Sequence, residues 1–141
     1  MCLAIFLAAD APLPLARIGE GSTQMYVVAI PLEQESIRKQ FSKRFVYEIT
    51  TEEGCASGFD YDPDYEREPT IAEENEMSRT LLSQLSVYLT AALNIVGVVE
   101  LYAGHCDEMG LPPTHRGAIT PEHLILSRLS MADRKFFIVS K

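Results

Sequence analysis

The chain has 141 residues, 47% of them hydrophobic and 23% charged, a balance that suits one soluble domain with a substantial core. Its longest N-terminal apolar stretch is broken at Asp10, too short to span a bilayer, and no basic residue precedes it as a secretory leader requires. The net charge of −8 is concentrated between Glu48 and Glu76, where eleven acidic residues and one basic give −10 and leave the remainder at +2. That field opposes nucleic acid, which is bound by Lys and Arg set against phosphates. We therefore expect a single cytoplasmic domain over residues 1–141, with neither a membrane nor a nucleic acid as partner.

Taken in chain order, residues 2–8 are apolar on both alternating faces, the pattern of a central strand covered on two sides. Ala11-Pro-Leu-Pro14 and Gly19-Glu-Gly-Ser22 punctuate a loop. Met25–Ile30 forms a second buried strand stopped by Pro31, and Leu32, Ile37 and Phe41 recur at the spacing of a short amphipathic helix. In Phe45–Thr51, Phe45, Tyr47 and Ile49 share one strand face while Glu48 and Thr50 take the other. Residues 52–70 lack apolar periodicity and read as a long acidic loop. Thr70-Ile-Ala-Glu73 matches a capping box, and Met77, Leu81, Leu85, Tyr88, Ala92 and Ile95 then make one apolar stripe, widened by Leu82, Leu89 and Val96. Ser78, Arg79 and Gln84 fall off that stripe. The spacing predicts a helix over about 71–96, ended by Gly97 in a left-handed conformation. A further strand covers 98–104, residues 109–118 read as loop, and 117–130 is open between a short helix and a strand beginning at Ala118. Arg134–Val139 closes the chain as a strand. The expected architecture is α+β: about five mostly antiparallel strands with the 71–96 helix packed on the sheet.

The unusual chemistry lies in three cysteines, Cys2, Cys55 and Cys106, each where a strand meets a loop. Free cysteine often packs as a small hydrophobe, and that reading suits Cys2, whose whole run is apolar. Cys55 and Cys106 sit in glycine-containing turns. With His105 they make the candidate catalytic set of a thiol-dependent enzyme or metal-binding protein, a nucleophile needing a nearby base. A zinc site could draw on Cys2, Cys55, Cys106 and His105, but the close ligand pairs of zinc motifs are absent. Adjacent strand residues also point to opposite faces, which separates His105 from Cys106 unless Gly104 breaks the strand. We assign no metal and no cofactor. If Met1 is removed, Cys2 carries a free α-amine able to take its own thiol's proton, an arrangement similar to amidotransferases with an N-terminal cysteine. The match stops at Met1-Cys2, because Leu3 stands where those enzymes have glycine.

Asp60, Asp62, Asp64, Glu66 and Glu68 have the alternate spacing that opens an EF-hand loop, but Tyr65 and Ile71 occupy the glycine and bidentate-glutamate positions. Asp60, Tyr61, Asp62, Asp64, Tyr65 and Glu66 instead suit recognition of a basic protein segment, since charge complementarity gives specificity and association rate. The leading expectation is a binding or interaction module that uses this 59–69 loop. Finally, Gly54-Cys55-x-x-Gly58-Phe59, Ser83-x-x-Leu-x-x-Tyr88-Leu89 and Val99-Glu100-Leu101-Tyr102 together resemble an uncharacterised bacterial family of short hypothetical proteins. The resemblance covers residues 45–108 and implies weight on Cys55.

Overall fold

A computed structural model describes residues 2–30, 35–51, 55–61, 69–130 and 132–141. The element that organises them is β1 (Leu3–Ala9), all seven residues of which are buried. Being apolar on both faces, it has no stable place at an edge. It sits at the centre of a seven-stranded sheet in the order β2-β3-β4-β1-β5-β7-β6. The other strands are β2 (Ala16–Ile18), β3 (Met25–Ala29), β4 (Phe45–Thr51), β5 (Val98–His105), β6 (His115–Ile119) and β7 (Lys135–Ser140). Every pairing is antiparallel except β6 with β7.

Register sorts the side chains into two layers. Leu3, Ile5, Leu7 and Ala9 of β1 stand beside Ile49, Tyr47, Ala103 and Leu101 on one face, and α2 (Pro69–Val96) packs over them. The buried side of α2 runs through Ser78, Leu81, Leu82, Leu85, Leu89, Ala92 and Leu93. The helix ends where Gly97, at φ 79°, returns its N–H to the Leu93 carbonyl at 2.9 Å, a conformation that glycine adopts without steric cost. On the opposite face Ala4, Phe6 and Ala8 meet Val46, Tyr102, Phe136 and Met109, with Ile37 of the short helix α1 (Glu35–Arg38) laid across them. The Glu100 carboxylate, only 7% exposed, fastens the turn after α1 to this face. It accepts from the Ser42 N–H and Oγ, both at 2.9 Å, and from the Lys43 N–H at 3.1 Å.

Three expectations need correction. The sheet has seven strands among the described residues, not about five. Both additions are short edge strands that carry little pattern of their own: three-residue β2 lies where a loop was read, and β6 lies within and beyond the expected 109–118 loop. β6 is exposed along almost its whole length and is held by pairing to β7 and by the Arg116 guanidinium, 5.0 Å from the Phe136 ring centre. The stretch after it, Pro121–Ser127, is a 3-10 helix with proline at its start, and not a continued strand. Helix α2 begins at Pro69, and its expected stripe is buried at Leu81, Leu82, Leu85, Tyr88, Leu89 and Ala92 but not at its two ends. Met77 and Ile95 are 37% and 56% exposed, whereas Ser78 is buried and donates to the Glu74 and Asp60 carbonyls at 3.0 and 3.2 Å. The side chain of Thr70, and with it the expected capping box, lies outside the described residues.

Candidate functional site

The sheet topology brings the three cysteines to one place. Because β1 runs antiparallel to both neighbours, the end at which it begins is the end at which β4 and β5 finish. Cys2 precedes β1, Cys106 follows β5, and Cys55 lies just past β4. The Cys106 N–H donates to the Cys2 carbonyl at 2.9 Å, adding one rung to the β1–β5 ladder. The chain after β4 folds back over the same end. The Ala56 N–H donates to the Leu3 carbonyl at 2.9 Å, the Leu3 N–H donates to Ser57 Oγ at 3.2 Å, and the Cys55 carbonyl accepts from the Thr51 N–H at 2.9 Å.

This turn is clamped from below by Gly58-Phe59. Phe59 is fully buried, and a Cβ on Gly58 would lie 2.8 Å from Leu81 Cδ1 of α2. Only glycine lets the backbone pass so close to that core leucine.

All three cysteines are free thiols, Cys2 and Cys55 partly buried and Cys106 exposed. The neighbouring Cys55 side chain pushes the Cys2 pKa up, and desolvation and the charges that Cys55 and Cys106 would carry push it in the same direction. The Cys55 thiol in turn lies 3.5 Å from Ser57 Oγ. Two thiols in contact titrate as a unit: the first thiolate is held by its neighbour's S–H, and the second must form against that charge. Cys55 therefore meets Cys2, a residue that its position inside an apolar run had marked as structural. In the structure Cys2 stands just outside β1, half-way to solvent.

His105 and Cys106 are not forced apart as alternating strand residues would be. β5 runs through Gly104 and stops at His105, and the chain then turns into a 3-10 helix, Cys106–Glu108. His105 Nδ1 accepts the Asp107 N–H at 3.0 Å, and Cys106 Sγ lies 3.8 Å from Asp107 Oδ1. One ligand atom from each of His105, Cys106 and Asp107 falls within 4.8 Å of the others. The Nδ1 lone pair already caps the turn. His105 also aligns with Leu3 on the helix face of the sheet. On the other face, Cys106 lines a cavity of about 250 Å³ with Phe6, Ile37, Glu48 and Met109. Burial pushes the Glu48 carboxyl up from its ordinary value.

Of the candidate acidic contact surface, Asp62, Asp64, Tyr65 and Glu66 lie outside the described residues. Asp60 accepts the Ser78 hydroxyl through its carbonyl. Tyr61 packs partly against the main core, with the Arg79 guanidinium 5.3 Å from its ring centre. Both residues thus help to seat the start of the loop on α2. The Cys2–Cys55 contact was the feature that sequence reasoning missed. The signal for it was the antiparallel register of β1 with β4, since Ile5 opposite Ile49 brings the start of β1 beside the end of β4 and the turn that follows it. Comparison with family models, curated proteins and solved structures gives no match to this chain.

Proposed function

We propose that this is a thiol-dependent protein whose working group is the Cys2–Cys55 dithiol, cycling between a reduced pair and a disulfide. The observation that carries the reading is the convergence of Cys2 and Cys55 at one sheet end, where the turn after β4 is bonded to Leu3 through the Ala56 N–H and Ser57 Oγ. In the forward step a Cys55 thiolate, supported by Ser57 Oγ, attacks an electrophilic oxygen or sulfur of a hydroperoxide or a small disulfide. The leaving group departs as an alcohol or a thiol, and the Cys2 thiolate then displaces the group left on Cys55. Two electrons pass to the oxidant, and the two thiol protons leave on the departing groups, as an alcohol and water from a hydroperoxide or as two thiols from a disulfide. Cys106, exposed at the same sheet end, is the third thiol and the route for exchange with an external thiol. A reducing cytoplasmic setting fits three unpaired cysteines.

The test is treatment of the native protein with hydrogen peroxide or oxidised glutathione, followed by non-reducing digestion and mass spectrometry. A Cys2–Cys55 linked peptide pair that also forms in Cys106→Ser supports the reading. A Cys55–Cys106 link, or separate over-oxidation of each thiol with no link, overturns it.

A further inference from the structure

A second cavity, of about 260 Å³, opens at the other end of β4. It is walled by Ala29 and Ile30 at the end of β3, by Phe45 and Val46 of β4, and by Arg38 and Arg44. We propose that it is a binding site for a phosphomonoester, read by these two guanidinium groups.

Arg38 closes α1, and its Nε is buried without a hydrogen-bond partner among the described residues. A buried donor left unpaired is costly, so an acceptor placed in the cavity would relieve it. Arg44 lies with its guanidinium carbon 5.2 Å from the centre of the Phe45 ring. Stacking of this kind holds the planar group by its face and leaves its N–H edge free for an oxyanion. Asp10 is paired with Lys43 Nζ at 2.7 Å, and Arg38 and Arg44 face the same cavity. Two fixed positive charges match a dianion, and their forked donors match the several oxygens of a phosphate better than the two of a carboxylate. The cavity exceeds a bare phosphate in size, and its remaining wall of alanine, isoleucine, phenylalanine and valine suits a small organic body attached to the ester oxygen. Nothing in this site touches the cysteines, so it stands independently of the dithiol reading.

The experiment is a titration of the full chain with inorganic phosphate and with O-phosphoserine, followed by NMR of backbone and arginine Nε–H signals. Ionic strength is held constant with chloride, and acetate serves as the carboxylate control. Saturable shifts of the Arg38 and Arg44 Nε–H signals are expected with both phosphate probes and not with acetate. Arg38→Gln and Arg44→Gln should each weaken phosphoserine binding about tenfold or more, as loss of a charge-assisted pair does. Arg38→Lys, which keeps the charge and the fold but loses the fork, should weaken it as well. Lys39→Gln, outside the cavity wall, should leave it unchanged. Absence of saturation in the wild type, equal response to acetate, or retention of affinity in Arg38→Gln would each overturn the proposal.

Discussion

Oxidation of Cys2 and Cys55 should raise thermal stability by an amount that follows from chain length. A bond between these residues closes a loop of about 54 residues. In the chain-entropy description such a closure removes freedom from the unfolded ensemble worth about 4 kcal/mol at room temperature. The two thiols are partly exposed neighbours at one sheet end, so a bond of about 2 Å between the sulfurs is made by side chains that have room to turn. For a domain of this size roughly 3–4 °C of melting temperature accompanies each kcal/mol, giving a rise of about 14 °C. The assay is calorimetry or circular dichroism of fully reduced and fully oxidised protein, with the link verified by mass. Cys106→Ser should show the whole rise, and Cys2→Ser and Cys55→Ser should show none. A linked protein that melts with the reduced one would refute the reasoning, because it would mean that native strain cancels the entropic gain. A rise that persists in Cys2→Ser would refute the pairing itself.

Three further outcomes rest on other parts of the fold. Glu100→Ala removes a buried acceptor of three hydrogen bonds and should cost about 2–4 kcal/mol in chemical denaturation; Glu100→Gln keeps one acceptor oxygen and should cost less than half of that. Gly58→Ala drives a Cβ against Leu81 and should destabilise by about 1–3 kcal/mol, while Gly110→Ala, where a Cβ meets only an ordinary contact at 3.7 Å, should be close to neutral. Tyr88, whose hydroxyl donates to the Pro14 carbonyl at 2.8 Å, has its pKa pushed from 10.0 to about 12, chiefly by burial and then by Tyr47. The folded value lies above the unfolded one, so this group's contribution is complete below pH 10 and is lost as pH rises through 12. Unfolding followed between those values should show a loss of roughly 1–2 kcal/mol that Tyr88→Phe does not show.

The elements legible in the sequence were those whose burial is written into their own residues. Leu3–Ala9 is apolar at every position, and only a central, doubly covered strand satisfies that. Gly97 marks the end of α2 because the chain needs a positive φ there. β2 and β6 were illegible for the opposite reason. His115-Arg-Gly-Ala-Ile119 has a glycine at its middle and exposed side chains, and becomes a strand only because β7 offers it a ladder. The start of the α2 stripe shows the same limit, since Ser78 reads as polar until Asp60 supplies an acceptor. At the site, the position of each cysteine at a strand end was readable. Which sulfur meets which was not, because that depends on the register between segments about fifty and a hundred residues apart.

The central place of β1 also has a consequence in time. Its partners lie far along the chain, with Phe45 and Thr51 bounding β4 and Val98 and His105 bounding β5, so β1 is paired on both sides only after segments distant in sequence have met it. Such long-range closure slows folding and leaves an apolar strand unshielded meanwhile. The Cys106–Cys2 rung can form only once β5 has been zipped onto β1 along its whole length. Cys2 and Cys55 come together on the β4 side of β1, so their protection from a small alkylating reagent, sampled through refolding, reports the docking of β4 and its turn onto β1.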